Sequence, residues 1–457
     1  MGFTFRCKAA YIHKSAPDVQ VMTQNFIIPS HASTNISDIP SFGFLAVVLA
    51  VYLSALGYSD DRIGLLFSLT LLGDAAISLF LTSHADKYGR KRTLLVGGII
   101  CAITSFIFAF QSNFWVMLIA GIFGVISPSG NEIGPFMAIE LSGLAQVTSS
   151  SDRTRLMAWY NLFGCFASAL GAILSGLLVS YFHYGAYQLT LLQSYQALMA
   201  LYAVIQVLTC FVFLFLSPDC EVPLESATVK KTNPVTLFLG LHKSKIIVLQ
   251  LSLLFMMDSF GGSFILQSLI SKWFFETYAT KPHTLGTIVF ICNIVAGISA
   301  LFAAKIADFL GLVITMSATH LPSNILVILV PLMPSEFWSI VIICCRCCIS
   351  QMDVPLRNAY VQSVVDDDER SAANGVTNVV RSIGASTGPY LAGLLYGSRS
   401  FRNYPFFVAG VLKIIYDILI VISFVSVKPP EEAAKAEARK RNQQGTQDKV
   451  LETTPLK

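Results

Sequence analysis

Twelve stretches of this chain are apolar enough and long enough to cross a lipid bilayer, and no other feature limits the fold as much. They lie near 42–58, 61–82, 93–112, 114–138, 155–181, 192–217, 246–271, 285–307, 311–332, 336–360, 371–397 and 403–426. A bilayer core is crossed by ~20 mainly apolar residues in helical form. Hydrocarbon offers the backbone no water, so only helices or closed barrels can span it. Barrel strands are shorter and alternate in character. These runs are continuous and read as helices. Composition agrees: 54% of residues are hydrophobic and 13% charged, against roughly a quarter charged in soluble domains. The same balance excludes a disordered chain. A net charge of +4 is too small to mark a nucleic-acid binder. The opening residues include His13, Lys14, Pro17 and Asp18 without an apolar core, so no removable signal peptide is expected.

The loops set an orientation. Basic residues favour the cytoplasmic side. Lys87, Arg90, Lys91 and Arg92 follow the second span, Arg153 and Arg155 the fourth, and Lys230, Lys231, Lys243 and Lys245 the sixth. The opposite loops of the first half hold Arg62. Both termini are therefore expected in the cytoplasm. The domain reading is an N-terminal segment 1–41, a six-helix bundle 42–217, a cytoplasmic linker 218–245, a second bundle 246–426 and a disordered charged tail 427–457. The first span is short, and the polar stretch between Pro29 and Pro40 is read as an insertion within it.

The halves repeat. Arg153, Asn161, Gly171, Gly176, Leu177 and Leu178 recur at one constant offset as Arg370, Asn378, Gly388, Gly393, Leu394 and Leu395. Asp86-x-x-Gly89 recurs at nearly that offset as Asp308-x-x-Gly311. Six spans plus six around a linker is the layout of a transporter built from repeats. The fold expected is an all-α membrane protein, twelve transmembrane helices in two six-helix bundles.

The stretch Ser83 to Arg92, with Asp86-Lys87-Tyr88-Gly89-Arg90-Lys91-Arg92 at its centre, resembles the signature loop of the major facilitator superfamily. It departs from that pattern at Thr82, where the family has glycine. The resemblance covers about residues 42–426. It implies alternating access by two rocking bundles, with spans 1, 4, 7 and 10 lining a central cavity. Gly384-x-x-x-Gly388-Pro389-x-x-x-Gly393 resembles the glycine-proline signature of proton-driven drug antiporters. That signature belongs on the fifth span and this one stands on the eleventh, so close helix packing with a bend is the reading kept.

Ionisable groups inside a membrane cost ~2.5–3.5 kcal/mol each on insertion scales and are the default functional candidates. Asp74 precedes Asp86 on the second span by ~18 Å of helix, and a proton-carrying carboxylate competes there with an interhelical contact. Glu132 and Glu140 flank Pro135 on the fourth span, where a kink is expected. Glu132 is taken as a cavity carboxylate. Glu140 is taken as a gate partner of Arg90 or Arg153. Asp258 lies mid-span in the seventh, ahead of small residues and Gln267. It can carry a proton, bind a cation or hold a neighbouring helix. Asp353 and Arg357 are four apart on the tenth span and can pair on one face. Arg346 is deeper and can neutralise Glu132 or Asp258. Arg381, on the eleventh span, is a partner for Asp74 if spans 2 and 11 pack as in the family. Lys91, Asp308 and Gly311 complete the gate residues.

Cys344-Cys345-Arg346-Cys347-Cys348 invites a soft-metal reading. Successive helical residues are ~100° apart, so these thiols cannot all converge, and no metal or cofactor is expected. No catalytic constellation or phosphate loop is visible. The function expected is secondary active transport of a small organic solute, as proton-coupled efflux of a drug-like compound or secondary metabolite. Proton-coupled uptake of a nutrient and a transport-inactive receptor or sensor are the alternatives. The expected setting is a monomer in the bilayer, at the plasma membrane or an organelle membrane.

Overall fold

A computed structural model of the chain describes residues 35–124, 126, 128–129, 153–185, 187–215, 241–366 and 369–427. The N-terminal segment before Asn35, most of the linker and the tail beyond 427 lie outside the described residues, as do Glu132 and Glu140.

Fourteen α-helices form among the described residues. The first half holds α1 (Asn35–Ala55), α2 (Asp60–Tyr88), α3 (Arg90–Phe110), α4 (Phe114–Phe123), α5 (Arg153–Tyr184) and α6 (Leu191–Leu214). The second half holds α7 (Lys245–Ser263), α8 (Gln267–Tyr278), α9 (Pro282–Leu310), α10 (Leu312–Leu329), α11 (Glu336–Ser350), α12 (Asp353–Val364), α13 (Arg370–Tyr396) and α14 (Tyr404–Phe424). Among the described residues, nine helical segments are long and apolar enough to cross a membrane. The layout is that of a twelve-span, six-plus-six transporter. Helix α1 begins at Asn35, ahead of the expected start of the first span.

Two spans of the second half are broken. The seventh is α7 followed by α8. At their junction the Phe264 N–H donates to the Gly261 carbonyl at 3.4 Å and the Ile265 N–H to the Gly262 carbonyl at 3.1 Å. These tightened bonds end α7 three residues short of α8. The tenth is α11 followed by α12. Pro355 falls in the first turn of α12, where its missing N–H leaves no bond unmade. A break at membrane depth is tolerated where it lines a protein cavity.

The sequence repeat has a backbone meaning. Gly89 and Gly311 cap α2 and α9 with φ of 94° and 89°, a conformation that glycine alone adopts without cost. Each ends the Asp-x-x-Gly loop of its half. The offset that carries Asp86 to Asp308 also carries Gly64 to Gly286, and the other offset carries Gly176 to Gly393. These glycines mark the two places where the halves cross. A Cβ at Gly64 would meet the Pro389 carbonyl oxygen, and one at Gly176 would meet that of Pro282. Helix α2 therefore lies backbone to backbone on α13, and α5 on α9.

Candidate functional site

A cavity of about 300 Å³ opens against the second half. The broken spans build much of its wall, with Asp258 and Ser259 before one break, Gln267 and Ile270 after it, and Gln351 at the other. Helix α11 turns one face to it, through Ile343, Arg346, Cys347 and Ser350. That spacing is a single helical stripe. Ser129 is a wall residue from the first half.

Behind the polar wall sits a network of charges. Asp258 is buried on α7. Its Oδ1 accepts from Lys413 Nζ of α14 at 2.5 Å, and its Oδ2 accepts from Arg357 of α12 at 3.2 Å. Arg357 also lies 3.5 Å from Asp353 and stacks over the Phe255 ring at 5.3 Å. His320 of α10 stands next to this group. Its Nε2 is 3.4 Å from Lys413 Nζ and 3.8 Å from Asp258 Oδ1. Its Nδ1 is 2.8 Å from Asp417 of α14, and Asn324 donates to the other Asp417 oxygen at 2.8 Å. The Tyr416 ring packs edge-on against the imidazole at 5.9 Å. Asp258, His320 and Lys413 line the cavity, whereas Asp417 is fully buried behind them. Buried charges persist only when paired and hydrogen-bonded, and each of these acids has such partners.

The sequence candidates divide. Asp258, Asp353 and Arg357 come together, with Lys413 and Arg357, rather than Arg346, on Asp258. Arg346 and Gln267 line the cavity. Arg381 lines it too, donating from Nε to Ser259 Oγ at 2.9 Å. Asp74 is half-buried on α2 and is not among the cavity-lining residues. In the signature loop, Arg90 is buried at the Gly89 turn and Lys91 donates to the Leu214 carbonyl at 2.7 Å. Asp86 and Arg153 lie within α2 and α5, with side chains outside the described residues. Asp308 is exposed near the end of α9, three residues before Gly311. The sequence reading missed His320, Asn324, Lys413 and Asp417. The signal was present: each pair stands four residues apart in an apolar run, and therefore on one helix face.

The halves are tied at the end that carries Asp60. Lys272 of α8 bridges Asp60 of α2 and Glu276, and Arg402 reaches Glu276 at 3.4 Å. Ser268 Oγ sits between the Ala46 and Pro128 carbonyl oxygens at 2.7 and 2.8 Å, with its one proton shared between them. The Tyr390 N–H donates to Ser68 Oγ at 2.9 Å. Outside the spans, Glu369 receives the chain that enters α7. Burial raises its pKa, but hydrogen bonds from the His242 backbone and ring, from the Lys243 backbone and from Ser244 outweigh that and hold it well below the usual carboxylate range. The Lys243 and Ser244 N–H groups donate at 2.8 and 2.9 Å. Among the described residues, no group of three or more His, Cys, Asp or Glu side chains is placed to hold a metal ion.

Comparison with known proteins fits this geometry. The family model of the Major Facilitator Superfamily matches residues 34–389 and 251–456. The Uncharacterized membrane protein YJR124C of Saccharomyces cerevisiae is 30% identical over 410 residues, covering 85% of this chain and 91% of that protein. The Quinolone resistance protein NorA of Staphylococcus aureus is 35% identical over 85 residues, which is 19% of this chain and 22% of that protein. Among solved structures, the nucleoside transporter NupG superposes with a TM-score of 0.64 at 15% identity, covering 87% of this chain and 99% of that one.

Proposed function

The chain belongs to the Major Facilitator Superfamily, and from that premise we propose that it couples the movement of a small organic solute to that of a proton held at His320. It is a multi-pass membrane protein that moves a small solute by alternating access. The observation that carries the coupling is the place of His320 in the network. Three carboxylates, Asp258, Asp353 and Asp417, meet the cations Arg357 and Lys413 around it, with Arg346 and Arg381 on the same cavity wall. An imidazole carries a proton on one nitrogen or on both, so a proton gained at His320 changes the bonds at both of its ends. His320 Nε2 faces the cavity group while Nδ1 is held by Asp417. The network joins α7, α10, α12 and α14. Its protonation state therefore biases how these helices pack, which is what a switch between two access states requires.

The direction proposed is export. Its support is the partial match to a quinolone resistance protein, since a transporter confers resistance by removing the compound. The basic loops at Lys87 to Arg92 support cytoplasmic termini. The Asp60 end, where the halves are tied, then faces away from the cytoplasm. The test is reconstitution in liposomes with a pH-sensitive dye inside and a panel of organic acids, amines and quinolones. Solute movement against an opposite proton movement is expected. Protons moving with the solute would replace export by uptake. Solute movement without protons would remove the coupling.

A further inference from the structure

The acids of the cavity wall are already satisfied. Asp258 is held by Lys413 and Arg357, and Asp353 by Arg357. A cationic solute would have to pull one of these carboxylates from its partner and leave a buried cation behind, which is costly. Arg346 stands differently. It lies on the cavity-facing stripe of α11, and its Nε is buried without a hydrogen-bond partner. That Nε is enclosed, while the residue as a whole is part-exposed and lines the cavity, so its other N–H groups are the ones a solute can reach. Its planar fork matches a carboxylate or phosphate in two parallel bonds. Ser350 and Gln351 stand close to it on the same wall, while Phe274, Ile288 and Ile343 give the cavity an apolar side. A volume of about 300 Å³ is at the small end of ligand sites.

We propose that the solute is a small organic anion, with an acidic head bound by Arg346 and an apolar body against Phe274, Ile288 and Ile343. This inference rests on the reading of the cavity as the transport site. The Arg346 guanidinium selects the sign of the solute, while the network around His320 on the same cavity handles the proton.

The test uses the full purified chain in lipid nanodiscs. Binding is followed by calorimetry for 3-phenylpropanoate, 3-phenylpropanamide and 3-phenylpropylamine, and for the hexyl and naphthyl members of the same three classes. The acids are expected to bind at least about tenfold more tightly than the matched amides and amines. Arg346→Gln should erase that preference, and Arg346→Lys should keep part of it. The matched phosphonates show whether a carboxylate or a phosphate-like head is favoured, and Arg346-dependent binding of either supports the proposal. Acids that bind no better than amides, or bind not at all, overturn it. So does a preference that survives Arg346→Gln. Amines that bind and drive proton movement in liposomes would overturn the anion inference and leave coupled transport standing. Arg346-dependent acid binding with no proton movement would do the reverse.

Discussion

In the half built on α1 to α6, the large buried side chains are apolar or aromatic: Tyr52, Phe67, Phe108, Tyr195, Tyr202 and Phe213. Tyr52 hands its hydroxyl proton to the Phe108 carbonyl at 2.6 Å and asks for nothing further. Among the described residues, the buried charged side chain of this half is Arg90, at the loop. In the half built on α7 to α14, Asp258, Lys272, Asp353, Arg357, Lys413 and Asp417 are all buried. The backbones obey the repeat, with glycine turns at Gly89 and Gly311 and glycine crossings at Gly64 and Gly286. Among the described residues the buried charges do not follow it, and gather in the second half.

Breaking that charged interior should cost most. Lys413→Met leaves Asp258 buried beside one cation in place of two and is expected to cost ~3–5 kcal/mol. Tyr202→Phe in the other half should stay within about 1 kcal/mol. Thermal unfolding in one detergent compares the two. Asp258→Asn added to Lys413→Met should return part of the loss, because the pair is coupled. Equal effects in the two halves would erase the contrast.

The seam between the halves comes next. Lys272→Met removes the cation that joins α8 to Asp60 and should favour opening of the Asp60 end. A Ser68→Cys reporter should then react with a water-soluble thiol reagent several-fold faster, and unchanged labelling would place the closure elsewhere. Gly64→Ala should oppose the close crossing at Pro389 and cost ~1–3 kcal/mol in the closed form, read as faster labelling of the same reporter.

The smallest effect belongs to Glu369. Its folded pKa is depressed, so its stabilisation is complete above the ordinary carboxylate range. It is lost as pH falls through the folded value. Glu369→Gln should lower the unfolding temperature near neutral pH and flatten its fall on acidification. A variant with an unchanged acid limb would show that this anchor does not matter.

Much of the fold was legible because hydropathy and loop chemistry are local. The twelve spans and the Asp-x-x-Gly loops need only neighbouring residues to be recognised. The start of α1 was not legible, since Asn35, Ser37 and Asp38 surround Ile36 and Pro40 follows, which breaks the apolar run. Asp258 stood out as an intramembrane acid. Its partners did not, because which cation meets it depends on how α7, α12 and α14 cross. Lys413 with Asp417 and His320 with Asn324 were visible as pairs four apart. Only the packing of α10 on α14 makes them one network. Depth on the tenth span points Arg346 at Glu132 or Asp258, but the geometry gives Asp258 to Lys413 and Arg357, and Glu132 lies outside the described residues.

If the coupling proton resides in the charged half, proton and solute flux measured together test it directly, in liposomes holding wild type, His320→Gln or Tyr202→Phe under an imposed pH gradient. Wild type and Tyr202→Phe are expected to move protons opposite to the solute. His320→Gln should exchange solute across the membrane with no proton movement. Proton movement by His320→Gln at the wild-type rate would contradict it.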